Sequence, residues 1–577
     1  MAENHQTARF APVRYTVSFQ DARTHYVSVQ ALLPTGGKAE IEAFLPVWTP
    51  GSYLIREYSR HLESVSATSA DGTPLPSSKT RKNRWRVEPG GSSEIRLSYR
   101  VYCREMSVRT NWVEGSFAFL NGAPTFLTLP ELRDQPHEIQ LNLPPDWSTS
   151  VTGLTGCGAP HCYRAESYDA LVDSPILCGN PALYTFNLDG VLHVLANEGE
   201  HGVWDGPRAA ADAETLVRQH SSLFGPLPYA RYAFLNLLVE ARGGLEHRNS
   251  MCVMTSRWAT RTRRAYHGWL HLVAHEFFHV WNVKRLRPVE LGPFDYENEN
   301  YTRSLWVAEG ITDYYGPLMV RRAGLSTADE YLDSLSDTIR SLQSTPGRFM
   351  QSLEQSSWDA WIKLYRPDEN SGNTTISYYT KGAVVAWLLD ARIRRASGGA
   401  RSLDDLMRAA LVRYSGAAGF TSEEFKSLAA DVAGAPLDDF FRRTVESTDE
   451  LDYSEALNWF GLRFRNENRS GPTLGCEVRV DAGRLLIAKV PRDTPAFEAG
   501  LNVDDEVIAI DDFRIRADQL AQRLENYKPG DTVAVLVARR DVLRKFGVVL
   551  GREPSRAQLE IDPCAQHDHL TGWLNGD

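Results

Sequence analysis

Apolar and polar positions alternate along residues 13–19, 26–32 and 94–101. A period of two marks a strand buried on one face. Turn-forming stretches rich in Gly, Pro, Ser and Asp, at 34–37, 71–74 and 89–92, separate these runs. Regular short strands of this kind predict an antiparallel, sandwich-like β domain over residues 1–185. From residue 186 the pattern changes. Strand-like runs at 191–195 and 232–239 flank a helical stretch at 212–224, and helical spacing continues through 329–339, 382–389, 403–407 and 421–425. Thr421-Ser-Glu-Glu reads as a helix start. Residues 186–455 are therefore expected to form an α/β half followed by a helical half. Residues 456–552 return to a β pattern, and 553–577 read as a polar, solvated tail. The fold class is multidomain α+β.

Within the helical pattern lies His275-Glu276-Phe277-Phe278-His279. Histidines four apart on a helix project from one face, so two imidazoles can converge on a single Zn²⁺. Glu276 stands on the edge of that face, where it can take a proton from the attacking water without being a ligand. A catalytic zinc needs a third protein ligand and an open position. Glu309, on a second apolar-periodic segment, is the candidate, with Asp313 one turn further on to hold a ligand imidazole. His267 and His271 extend the histidine column upstream. Taking His271 with His275 as the ligand pair would put Leu272 where the base belongs, so His271 reads as packed or supporting and His267 as exposed.

Composition narrows the class. The chain has 577 residues, too many for one core, so three or four domains are expected. Hydrophobic residues make up 42% and charged residues 24%, the balance of a water-soluble globular protein. The net charge of -10, without a long basic run, argues against a nucleic-acid partner. No apolar run is long enough to span a membrane, and Met1-Ala-Glu-Asn-His-Gln has no leader pattern, so a cytoplasmic location is expected. Seven cysteines, few and odd in number, suit a reducing compartment. Cys157 and Cys162 flank a turn and read as a plain loop, with a second metal as the lesser alternative. His567 and His569 read as part of the solvated tail.

The segments at 272–285 and 299–310 closely resemble the glycyl aminopeptidase family, as does Pro50-Gly-Ser-Tyr-Leu-Ile-Arg56 in the amino-terminal part. The block 456–552 resembles the carboxy-terminal PDZ domain common in that family. The resemblance implies a thermolysin-like zinc domain, one Zn²⁺ per chain, and removal of small amino-terminal residues, glycine and alanine above all. Gly243-Gly244-Leu245-Glu246-His247 is similar to the Gly-x-Met-Glu-Asn motif of zinc aminopeptidases. That match implies substrate binding by Gly243, Gly244 and Glu246, with Glu246 holding the free α-ammonium; His247 replaces the usual Asn. Tyr379-Thr-Lys-Gly382 is similar to the Tyr-x-Lys-Gly motif of the same enzymes, which implies that Tyr379 donates to the oxyanion, with Tyr378 as the alternative. The segment 289–300 lengthens the gap before Glu309 relative to the broader zinc aminopeptidases; Glu297 and Glu299 in it are the fallback ligands.

The expectation is thus a zinc aminopeptidase acting on peptides with a free amino terminus, with a C-terminal peptide as candidate PDZ ligand and no nucleic-acid or membrane partner. A zinc endopeptidase would need no amine anchor, and a PDZ scaffold with a vestigial protease domain would need no intact His-Glu-His-Glu set.

Overall fold

A computed structural model describes residues 11–467, 471–516, 518–554, 556–565 and 568–576. Residues 1–6, read above for a leader, and His567 lie outside the described residues. The chain divides into two compact units.

The first unit comprises residues 1–301, 315–325 and 411–419. Its amino-terminal part is built on an eight-stranded sheet with Val13–Ser18, Tyr26–Pro34 and Glu94–Tyr102 at its centre. Glu94–Tyr102 alternates buried and half-buried side chains along its whole length, as a period of two requires. The sheet is not wholly antiparallel, because Val13–Ser18 runs parallel to His137–Asn142. Smaller three- and four-stranded sheets complete this β domain.

The same unit continues into a five-stranded sheet in the order Ala182–Leu188, Val191–Glu198, Arg231–Leu238, Ser250–Thr255, Gly243–Glu246. Val191–Glu198 is parallel to Arg231–Leu238, and helix Gly206–Phe224 makes the crossover between them. The expected domain boundary at 185 cuts through a strand, since Ala182–Leu188 pairs with Val191–Glu198. Gly243–Glu246 is the edge strand, which leaves one side of its backbone unpaired in the sheet. Helix Arg263–Phe278 carries the histidine motif, and the Thr262 side chain caps its amino end.

The second unit comprises residues 302–314, 326–410 and 420–577. Its helices include Ala328–Gln343, Tyr378–Ala396 and Ser422–Ala433. Thr421 and Glu424 close a reciprocal capping box, as the sequence signal predicted. A short π-helical turn, Trp306–Gly310, packs on Tyr378–Ala396 through two glycines: a Cβ on Gly310 would stand 2.5 Å from the Cα of Gly382. The PDZ sheet runs Glu477–Asp481, Arg484–Lys489, Glu506–Ile510, Thr532–Arg539, Val542–Val549. Its core is Leu485, Ile487, Val507, Ile510, Val533, Val535 and their neighbours.

The expected solvated tail is instead structured. Arg556–Ile561 pairs antiparallel with Leu462–Glu467, and helix Asp568–Asn575 buries Leu570, Trp573 and Leu574. Trp573 stacks on Phe460 and donates its indole N–H to the Tyr314 hydroxyl at 2.7 Å. His569 stacks on Trp459, with ring centroids 3.9 Å apart.

Cys157 and Cys162 form a disulfide across the strand pair Thr155–Gly156 and Cys162–Ala165. This corrects both the expectation of reduced thiols at these positions and the alternative of a metal there. The remaining cysteines are free.

Candidate metal centre and amine site

Helix Arg263–Phe278 and the turn after it set the histidine geometry. The Nε2 atoms of His275 and His279 stand 3.1 Å apart, with the rings near perpendicular. His279 Nδ1 lies 2.9 Å from the Asn282 carbonyl oxygen. A carbonyl only accepts, so Nδ1 carries the proton and Nε2 presents its lone pair. Two bonds of ~2.0–2.1 Å meeting near the tetrahedral angle span about 3.3 Å, so a cation shared by the two rings fits this spacing.

The turn that supplies the Asn282 carbonyl is strained. Val283 has φ +93°, a left-handed conformation that is a true outlier for a β-branched residue. Such strain costs about 1–3 kcal/mol and persists where surrounding contacts fix it. Here the Val283 N–H donates to the Leu286 carbonyl and the Lys284 N–H to the His279 carbonyl. The turn therefore directs the Asn282 carbonyl to His279 and the Lys284 side chain to Glu246.

Glu276 is 4% exposed. Carboxylate oxygens of Glu246 and Glu276 and a ring nitrogen of His279 lie within 4.8 Å of one another. The edge strand Gly243–Glu246 accounts for this closeness. A Cβ on Gly244 would stand 1.9 Å from Oε1 of Glu276, so the glycine is the space the Glu276 carboxylate occupies. Gly243 is under no such constraint, with its nearest neighbours at 3.7 Å or more.

Glu246 is 3% exposed and does not stand alone. Lys284 Nζ is 3.5 Å from its Oε1 and 2.9 Å from Oδ1 of Asp173. Burial would lower the Lys284 pKa, but Asp173 and Glu246 outweigh it and hold the ammonium charged. Burial would raise the Asp173 carboxyl, but Lys284 and His247 carry it well below the usual carboxylate range. His247 points its Nδ1 at Asp173, 3.2 Å away, which gives the residue in the Asn position of the motif a structural partner. The loop at 48–53 closes this corner. Trp48 and Tyr53 are buried and pack, while Gly51 faces the carboxylate: a Cβ there would stand 2.6 Å from Oε1 of Glu246. A cavity of about 520 Å³ opens beside Glu246, bounded by Gly51, Tyr53, Asp173, Lys284 and Tyr296 among others.

In the second unit, Glu309 is 2% exposed on the turn Trp306–Gly310, and the half-buried Asp313 follows one turn later on helix Ile311–Arg322. The Gly310–Gly382 approach brings the Glu309 segment against the helix that begins at Tyr378. Burial first, then Glu309 and Tyr365, raises the Tyr379 phenol well above its ordinary value. Tyr379 therefore stays protonated and able to donate. Its hydroxyl is 3.4 Å from that of Tyr365. Tyr378 is fully buried and stacks on Tyr379.

Two expectations need correction or pruning. His267 is 9% exposed, not solvent-facing, and its ring lies 6.2 Å from that of His271. Glu297 is held by Arg84 Nε at 2.8 Å and Asn83 Nδ2 at 2.9 Å, which removes it as a fallback ligand. The segment around it packs on the β domain, with the Trp48 indole donating to the Asp295 carbonyl. Asp173 carries no motif signal for the site, whereas Gly51 and Lys284 lie inside segments that carry the family resemblance.

Family models match three stretches: the Peptidase M61 N-terminal domain over residues 14–180, M61 glycyl aminopeptidase over 268–385, and the PDZ domain over 472–550. A solved aminopeptidase N family protein from Idiomarina loihiensis is 31% identical, with a TM-score of 0.93, covering 97% of this chain and 100% of that one. The chain belongs to the M61 glycyl aminopeptidase family. An M1 zinc metallopeptidase from Deinococcus radiodurans is 14% identical, with a TM-score of 0.48 over 77% of this chain and 95% of that one. A comparison with curated protein sequences found no match. This M61 chain has an amino-terminal β domain, a peptidase domain of mixed helix and sheet, and a PDZ domain. Among its described residues, no helix is long and apolar enough to cross a membrane.

Proposed function

We propose that this M61 peptidase is a zinc-dependent aminopeptidase that releases glycine and alanine from the free amino terminus of peptides. The observation that carries the reading is the convergence of the His275 and His279 Nε2 atoms beside two buried carboxylates, Glu276 and Glu246. His275, His279 and Glu309 would hold one zinc ion, the donor set of a catalytic site that keeps an open position. Asp313 would steady a ligand imidazole. When bound, zinc polarises the scissile carbonyl and acidifies the attacking water.

The chain's own residues do the rest. Glu276 accepts the proton from the attacking water and delivers it to the departing amine. Tyr379, protonated, donates a hydrogen bond to the oxygen that gains charge as the carbonyl becomes tetrahedral. Glu246 receives the α-ammonium, so the bond to be cut is fixed one residue from the chain end. A blocked terminus leaves that buried carboxylate without its substrate partner. Gly243 and Gly244 offer the backbone of an edge strand to the substrate, as an extended peptide adding to a sheet would use it.

The proposal extends to the PDZ domain, where the edge strand Glu477–Asp481 exposes all its residues and supports a C-terminal peptide as ligand. It also includes a cytoplasmic location. The Cys157–Cys162 bridge stands against that part, because such bridges persist in oxidising compartments; cell fractionation decides.

The test of activity uses metal-replete enzyme and one peptide in free and N-acetylated form, with the first residue varied from glycine to phenylalanine and arginine. Preferred release of glycine and alanine from the free form is expected. Efficient cleavage of the acetylated form would favour an endopeptidase, and preference for a large first residue would overturn the assigned specificity.

A further inference from the structure

We infer that Asp173 is a positioning residue for the free amino terminus, acting through Lys284 on Glu246. The inference rests on the reading of Glu246 as amine anchor and deepens it.

A carboxylate that must attract an ammonium should not already be neutralised. Yet Lys284 Nζ lies 3.5 Å from Glu246 Oε1, and its side chain is only 9% exposed. If Glu246 and Lys284 were alone, the pair would carry no net charge, and an incoming ammonium would meet a closed ion pair. Asp173 changes the balance. It takes Lys284 at the shorter distance, 2.9 Å, and adds a second negative charge. With the His247 imidazole counted as neutral, two carboxylates and one ammonium leave one negative charge over, which is what the α-ammonium of a peptide completes. The four-membered set is then neutral, and in a buried setting neutrality of the whole cluster decides whether binding is favourable.

Asp173 has little local reason to be acidic. It is the C-cap residue of the short helix Tyr168–Val172, the end where a negative charge opposes the backbone dipole. It is held there by groups outside that helix: the Arg248 backbone N–H donates to its Oδ2 at 2.7 Å, and His247 and Lys284 both face its Oδ1. Among the other charged residues lining the cavity, the acids Glu166 and Asp169 equal Arg248 and Arg287 in number, although Glu166 pairs with Arg164 and Asp169 with Arg133. The surplus is therefore local to the Glu246–Lys284–Asp173 cluster. Gly51, pressed against the Glu246 carboxylate, keeps that corner closed by backbone alone.

The experiment compares kcat/KM for an alanyl peptide with that for its lactyl isostere, in which a hydroxyl replaces the ammonium. Full-length, metal-replete wild type, Asp173→Asn, Asp173→Glu, Lys284→Gln and Glu246→Ala are assayed, with zinc content and thermal midpoint measured for each. Asp173→Asn is expected to cut the alanyl-to-lactyl ratio about 10- to 100-fold, chiefly through KM of the alanyl peptide, as loss of one nearby charge in a buried site implies. Asp173→Glu should recover part of the ratio. Lys284→Gln, which leaves the surplus negative, should keep the ratio or raise it. An unchanged ratio in Asp173→Asn, or equal losses on both peptides, would overturn the inference. So would a fall in the ratio for Lys284→Gln, which remains informative even if Asp173→Asn does not accumulate as folded protein. Glu246→Ala separates the two readings. If its ratio matches wild type, the anchor itself is misassigned. If its ratio collapses while that of Asp173→Asn does not, only the role of Asp173 fails.

Discussion

Gly244 and Glu276 share one space: a Cβ on the glycine would stand 1.9 Å from the Oε1 of the glutamate. The edge strand and the metal-motif helix meet there without a side chain between them. Gly244→Ala must therefore move either the strand or the carboxylate. With Glu276 as the base, kcat should fall by roughly 10²-fold, since misplacement by about an ångström costs that much. Zinc content should stay near wild type, because neither histidine is touched. Activity within about threefold of wild type would mean that turnover uses a different position of the Glu276 carboxylate.

Removal of a metal ligand should read out directly as metal loss. His275→Ala, His279→Ala and Glu309→Ala are each expected to purify with little zinc by elemental analysis, because a three-residue donor set has no spare member. Near-stoichiometric zinc in Glu309→Ala would unseat that assignment. Glu299 would then be the remaining carboxylate of the 289–300 segment to examine, since Arg84 and Asn83 already hold Glu297.

Tyr378 and Tyr379 are neighbours in sequence but differ in their surroundings. Tyr378 is fully buried, while Tyr379 faces Glu309 and Tyr365. Tyr379→Phe should lower kcat by roughly 10²–10³-fold with little change in KM, because its hydrogen bond strengthens only as the oxyanion forms. Tyr378→Phe should stay within about threefold of wild type. The reverse pattern would shift the motif match by one residue.

The carboxy-terminal helix Asp568–Asn575 docks in the second unit with Leu570, Trp573 and Leu574 buried. Trp573 is fully buried, stacks on Phe460, meets Tyr331 edge-to-face, and donates to Tyr314, whose hydroxyl in turn donates to Asp390. Trp573→Ala should cost about 3–5 kcal/mol, the range for removing a large buried aromatic. Thermal or urea unfolding of the full chain would measure it. A loss below about 1 kcal/mol would show that the helix docks without contributing to stability.

These residues also mark what the sequence could and could not reveal. The zinc motif is legible because helix geometry converts a spacing of four into a shared face, so His275 and His279 need no tertiary information. Glu246 is legible only through the likeness of residues 243–247 to a motif. Asp173 was invisible, since it comes 74 residues before its partner His247 and nothing local distinguishes it from a surface acid. Trp573 was missed for a different reason. Leu570, Trp573 and Leu574 have helical spacing, but they sit in a stretch whose polar composition suggested solvent. The strand Arg556–Ile561 has its partner at Leu462–Glu467, almost a whole PDZ domain earlier in the chain.

Glu246→Ala should weaken the distinction between free and blocked amino termini. The carboxylate is buried, lies close to Glu276, and is held from one side by Lys284 and closed from another by Gly51. A charge pair broken on one side in such a setting typically costs about 3–5 kcal/mol. At roughly 1.4 kcal/mol per decade, that is at least about a hundredfold in kcat/KM for a glycyl or alanyl peptide. The substitution also leaves Lys284 and Asp173 as a neutral pair, so the negative surplus of that cluster is lost. Activity on the N-acetylated peptide should change far less, because it never used the anchor. The measurement is kcat/KM for one peptide in both forms with both enzymes, zinc content checked in each. Equal losses on the two forms would assign Glu246 to support of the fold or the metal instead. A loss confined to the free form, with zinc retained, would identify it as the group that counts one residue from the chain end.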